Sequence, residues 1–223
     1  MELNLLRLIH LADSALPIGS AAHSFGLETL TEEQVVTPAN LEAFLIGWLQ
    51  ESGLAEAIFC RAGGQLAGDF DKAAWARLNA RMGALKPARE SREASARLGR
   101  RFLALAAELI TGDEQLSNAL QIPGPVYHPL AFGLAGGRLE LEAELVTATY
   151  LHTTVGNMIW ASQRLLPVGQ SMAGQLWWKL KPAILETAQY SATLTPEEAT
   201  TFSPLLDSAS MRHPDLPTRL FIS

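Results

Sequence analysis

The sequence predicts an all-α fold in one domain, and three observations carry that prediction. Apolar residues recur at helical spacing nearly everywhere, and no run alternates with period two for long enough to make a strand. The 223-residue chain is 48% hydrophobic and only 18% charged, so it must collapse around a sizeable core. Prolines and glycines fall between the periodic runs and divide them into roughly eight to ten helices.

The first helix is expected from Leu3 to about Ala15; its leucines and Ile9 lie almost all round, which predicts deep burial. Pro17 and Gly19 close it. Thr37-Pro38 is a start signal, a hydroxyl cap followed by a proline whose missing N–H costs nothing in the first turn. Leu41, Phe44, Leu45, Trp48 and Leu49 then form one stripe, Gly53 is a candidate divider, and Gly63-Gly64 with Gly68 close that region. A helix from about Asp71 to Leu85 carries Trp75, Leu78 and Met82, and Lys86-Pro87 breaks it. The next runs from about Ala88 to Ile110 with Leu98, Phe102, Leu105 and Leu109 inward. Three prolines between Gln121 and Pro129 mark a packed loop. Leu141 to Leu166 is the longest helix, with Leu145, Ala148, Val155 and Ile159 as its apolar face and His152 set among them. Another helix follows Pro167-Val168-Gly169 and is kinked or broken at Pro182, and Ser203-Pro204 opens a last short one. Without repeats or low-complexity runs, residues 1–223 read as one domain, with 211–223 as an extended C-terminal tail.

Composition excludes several functions. A net charge of −6 without a basic stripe argues against nucleic-acid binding. The lone Cys60, in an apolar run, permits no internal disulfide and reads as a small buried hydrophobe. The Met-Glu start with Arg7 does not resemble a secretory signal, so a cytoplasmic location is expected. The uncharged stretch from Leu145 to Gln163 is long enough to span a bilayer, but its Thr, His, Asn, Ser and Gln residues make it a protein-buried helix; no membrane is expected. Phosphate loops, zinc-helix and nucleophile-elbow motifs are missing, and no two of the five histidines stand three or four residues apart. The expectation is no catalytic residue, no metal ligand set and no cofactor, while a metal site assembled from distant helices stays open. The remaining signals are polar groups on helix faces, chiefly Thr149, Thr153, Asn157 and Arg164, which suit a subunit interface or a water-filled passage. Arg219, Leu220 and Phe221 have the composition of an interface anchor or belong to a frayed end.

Four segments, in order, resemble the urease accessory protein UreF family. They are Ala15-Leu-Pro-Ile-Gly-Ser-Ala-Ala-His-Ser-Phe-Gly-Leu-Glu28; Glu90-Ser-Arg-Glu-Ala-Ser95 with Leu98-Gly99; Tyr127-His-Pro129 and Phe132-Gly133 with Arg164-Leu-Leu-Pro-Val-Gly-Gln170; and Met211-Arg-His213 with Thr218-Arg-Leu-Phe221 and Ser223. The chain departs from the family pattern at Ala21, where an aromatic is usual, and at Pro214 and Pro217, which replace a Glu and an aromatic.

The resemblance implies an all-α, non-catalytic homodimer. Such a protein binds UreD (UreH in some organisms), recruits and modulates the GTPase UreG, and gates nickel transfer to apo-urease, with nickel in transit and not tightly held. An internal passage for the ion has been proposed in the family. The residues implied as partner-binding or passage-lining are His23, Ser24, Glu28, Thr149, Thr153, Asn157, Arg164, Gln170, Arg212, His213, Arg219, Leu220 and Phe221, with Pro17, Gly19 and Gly26 shaping the first motif. A stand-alone nickel-binding protein, and a small helical hydrolase or lyase using His with Glu or Asp, for example His23 and Glu28 as an acid–base couple, are the alternatives.

Overall fold

The computed structural model describes residues 2–222; Met1, Ser223 and the side chain of Ala21 lie outside the described set, and with them the last residue of the fourth motif and the Ala21 departure. Twelve α-helical segments and no strand occur among the described residues. They are α1 (Glu2–Leu11), α2 (Leu27–Glu32), α3 (Leu41–Trp48), α4 (Leu54–Gln65), α5 (Lys72–Ala84), α6 (Arg89–Leu109), α7 (Glu114–Gln121), α8 (His128–Arg138), α9 (Ala143–Leu165), α10 (Gln170–Lys179), α11 (Lys181–Tyr190) and α12 (Pro204–Arg212). A π-helical turn, Leu49–Gly53, joins α3 to α4 without a break, and α10 runs into α11 through a kink at Leu180, so the expected eight to ten rods are recovered once these pairs are merged. Among the described residues no helix is long and apolar enough to cross a membrane.

Local chemistry explains the boundaries. Asp71 caps α5 by accepting from the Ala73 and Ala74 amides at 2.7 and 3.2 Å, and Asp113 does the same for α7. Thr37-Pro38 does not start α3; Asn40 accepts from the Thr37 amide at 2.8 Å, closing a turn that delays the helix to Leu41. Gly63 and Gly64 do not end a helix either but lie inside α4.

The centre of the molecule is the crossing of α4 and α8, made by glycine. A methyl on Gly133 would stand 1.7 Å from the Cys60 carbonyl oxygen, and one on Gly63 would stand 2.3 Å from that of Leu130. Only glycine allows the two backbones to approach so closely. The α8 residues from Pro129 to Gly136 are all buried. Around this pair pack α6 and α9, whose buried faces include Leu98, Phe102, Val155 and Ile159 as expected. Leu145, assigned to the inner face of α9, is exposed. The proline-rich loop before α8 is pinned by buried Asn79, whose side-chain oxygen accepts from the Tyr127 amide at 2.8 Å.

α1 corrects the expectation of deep burial. It is shorter than predicted, and only Leu8 and Leu11 face the core. Leu3, Leu6 and Ile9, spaced three apart on the outer face, are 60, 63 and 56% exposed. An all-round apolar helix was read as a core helix, whereas here it buries one side in its own chain and leaves an apolar ridge outside.

Candidate functional site

Two clusters stand out, a clasp holding the C-terminal segment and, beside it, a cavity whose largely apolar wall carries several polar and charged groups. The clasp begins with Gly19 and Gly26, both in left-handed conformation at φ 85° and 88°. A side chain on Gly26 would be 2.7 Å from the Ser210 hydroxyl, so α12 lies directly on the turn that opens α2. Glu28, two residues further on, is thereby buried under the end of α12. His213 Nε2 stands 2.7 Å from Glu28 Oε2, and the Leu220 and Phe221 amides donate to the same carboxylate at 2.6 and 3.2 Å. One carboxylate therefore gathers both ends of the tail, satisfying backbone donors that an extended segment would otherwise leave open. The Ile222 amide donates to the Ala22 carbonyl at 2.8 Å, and the Arg164 guanidinium lies 4.4 Å from the centre of the buried Phe221 ring.

The extended tail expected over 211–223 begins, among the described residues, after Asp215. Met211 and Arg212 close α12, His213–Asp215 forms one 3₁₀ turn, and His213 and Phe221 are buried in their own chain. Arg212 pairs through two bonds with Glu33 at 2.9 and 2.8 Å. Arg219 and Leu220 keep exposed side chains, as do Arg164 and Gln170. Glu28 is engaged on both oxygens by the tail, whereas His23 lies in the cavity wall.

The cavity, of about 70 Å³, is lined by the turn before α2, the end of α3, the π-helical turn, α4, α5, α6, the start of α8, α9 and α12. It has room for several waters. Of the sequence candidates, His23 and Asn157 line it, together with Ser20 from the first motif. Thr149 and Thr153 do not: Thr153 donates to Thr149 and Ala12 carbonyls at 3.0 and 3.1 Å, tying α9 to the end of α1. Ser24 is buried next to His23, and Pro17 is exposed in the turn. Phe25, also in the wall, holds φ 52°, a conformation that costs a bulky residue about 1–2 kcal/mol.

Residues that sequence reasoning missed make the cavity's charged wall. Glu56 Oε1 pairs with Lys86 Nζ at 2.6 Å, and Tyr150 donates to Glu56 Oε2 at 2.7 Å. Burial, reinforced by the Glu56 carboxylate, holds the Tyr150 phenol well above its usual range. His128 is pushed down to about 4 by burial among Phe102, Phe132 and Tyr150. His23 is likewise pushed down to about 4, by burial and then by Arg97 and Arg101. Both cavity imidazoles are therefore neutral near pH 7. The signal for Glu56 was visible in principle, as a carboxylate inside the apolar run Leu54-Ala-Glu-Ala-Ile-Phe-Cys60. Elsewhere, His152 stacks on Trp177 at 4.5 Å with its Nδ1 3.0 Å from Lys181 Nζ, outside the cavity.

Among the described residues no group of three or more His, Cys, Asp and Glu is arranged to hold a metal ion. What the fold offers is a class of protein: an all-helical body with a self-clasped tail, an apolar outer ridge and a cavity carrying a buried ion pair. The UreF family model matches residues 35–181. The chain is similar over almost its whole length to proteins named urease accessory protein UreF from Ralstonia pickettii (32% identical, covering 98% of this chain and 97% of the relative) and from a Nostoc species (31% identical, 98% and 95%). A relative of the same name from Geobacillus kaustophilus is 29% identical and covers 98% of both chains. The chain belongs to the UreF family.

Proposed function

We propose that this protein is a non-catalytic accessory scaffold of urease maturation in the cytoplasm, acting as a homodimer that binds a UreD/UreH-type partner, recruits and modulates the GTPase UreG, and gates nickel on its way to apo-urease. The observation that carries the reading is full-length similarity to relatives named urease accessory proteins. The geometry supports it in two ways. The α1 ridge of Leu3, Leu6 and Ile9 is an apolar surface of the kind that a protein partner or second copy covers. The cavity presents neutral imidazoles, hydroxyls, an amide and carboxylates, the oxygen and nitrogen donors that meet nickel without the closed thiolate set of a storage site.

No observation favours the stand-alone nickel-binding alternative, since no described cluster is arranged to retain the ion. Co-expression with the UreD-type protein of the same organism tests the reading. Stable co-elution of the two chains, followed by retention of UreG on the pair, is expected; separate elution of all three overturns it.

A further inference from the structure

In a chain with 23 acidic and 17 basic residues, a cation readily finds a carboxylate. Lys86, Arg138, Lys179 and Arg212 each pair with one. The basic residues of α6 are all arginine, and three of them break this pattern. Arg97, Arg100 and Arg101 are exposed, and none stands within ion-pair distance of a carboxylate among the described residues. Glu93, one turn before Arg97, lies 4.0 Å from Arg89 instead.

Like charges three and four residues apart are neighbours on a helix surface and oppose it, so helix stability does not account for the cluster. Backbone contacts hold two of its members loosely. Arg100 Nη2 donates to the Leu120 carbonyl at 3.4 Å, and Arg101 Nη1 to the Ile18 carbonyl at 3.3 Å. Arg101 lies so close over Gly19 that a Cβ there would stand 2.9 Å from Nη1, so the glycine leaves room for the guanidinium on the turn before α2. The cluster therefore bridges that turn and the end of α7 with most of its N–H donors unspent. Its charge also reaches inward, where Arg97 and Arg101 add to the burial that holds His23 down to about 4.

Neighbouring positions of this kind are about 5–6 Å apart, the spacing of carboxylates three and four residues apart on a facing helix. The planar fork of arginine takes a carboxylate through two parallel bonds, which lysine cannot do. A nucleic acid fits less well, because three cations cover few phosphates and a net charge of −6 repels a polyanion. We propose that Arg97, Arg100 and Arg101 form a docking surface for a carboxylate-bearing helix face of another protein. The inference goes beyond the reading above, since it depends on neither nickel nor urease.

The experiment titrates the full chain into a fluorescein-labelled helical peptide with glutamates at three- and four-residue spacing, read by anisotropy. The wild type is expected to bind it, and more weakly as salt rises from about 50 to about 300 mM. Arg97→Gln/Arg100→Gln/Arg101→Gln should bind about tenfold more weakly or worse, with a melting temperature equal to or above that of the wild type. Lys72→Gln/Arg77→Gln, which removes two exposed charges from α5, should bind as the wild type does. The proposal is overturned if the wild type ignores the peptide, if the triple variant binds it equally well, or if the α5 variant loses as much. It is also overturned if a peptide with glutamine for glutamate binds as tightly, or if the triple variant melts well below the wild type, which would make the cluster a part of the fold. Tighter binding of a single-stranded oligonucleotide of equal charge would make the occupant a nucleic acid, and loss of self-association in the triple variant would make it a second copy; either result overturns the proposal.

Discussion

His128 shows how a residue's surroundings, more than its type, set what it can do. Its imidazole stands 5.4 Å from both Phe102 and Tyr150, in a pocket that opposes charging. The folded state holds it down to about 4, whereas an unfolded chain takes up the proton near 6.5. Between those values the unfolded state binds more protons, so stability is full above pH 6.5 and falls as the pH drops toward 4. The loss attributable to this one group reaches about 3 kcal/mol. Urea unfolding at pH 7 and pH 5 checks it: the wild type should weaken at pH 5, and His128→Phe should lessen that dependence without abolishing it, because His23 and His152 are held down to about 4 as well. At this scale the sequence revealed residues singly. Glu28 and His213 each drew notice through family motifs, but their pairing spans 185 positions and no spacing rule reaches across it. Glu56 escaped notice because its partners, Lys86 and Tyr150, come from other elements.

Among the elements, α8 and the tail were the least legible. Periodicity located α5, α6 and α9 to within two residues or so, because each carries a polar face opposite a core face. α8 is buried along most of its length and carries three glycines, so it shows neither that contrast nor good helix propensity. Its stability comes from the fit against α4. Gly133→Ala should therefore cost more than about 4 kcal/mol, since backbone atoms and not a yielding side chain stand in the way. Gly47→Ala, at an exposed position of α3, meets nothing within 4 Å and should stabilise by about 1 kcal/mol. Chemical denaturation of both variants measures the contrast. The tail offers a second test. Truncation after Asp215 removes two amide donors from Glu28 and the buried Phe221 ring, a loss of about 3–5 kcal/mol. A truncated chain that melts like the wild type would show that the clasp contributes nothing.

At the scale of the whole molecule, the all-α architecture and the family were readable from the sequence, while the division between inside and outside was not. Apolar content tells how much surface wants cover and not whether this chain or another provides it. The α1 ridge is the clearest case. Leu6, at its middle, is 63% exposed, and Leu6→Glu leaves the core contacts of Leu8 and Leu11 intact. In light scattering the wild type should run as a dimer and Leu6→Glu as a monomer of unchanged helix content. A clasped tail, a cavity with a buried ion pair and an uncovered ridge are the features on which the proposed scaffold function rests. The most direct measurement is reconstitution: apo-urease, nickel, bicarbonate, GTP and the UreD- and UreG-type proteins of the same organism, with and without this chain. The account predicts GTP-dependent urease activity only when the chain is present; equal activation in its absence would contradict it.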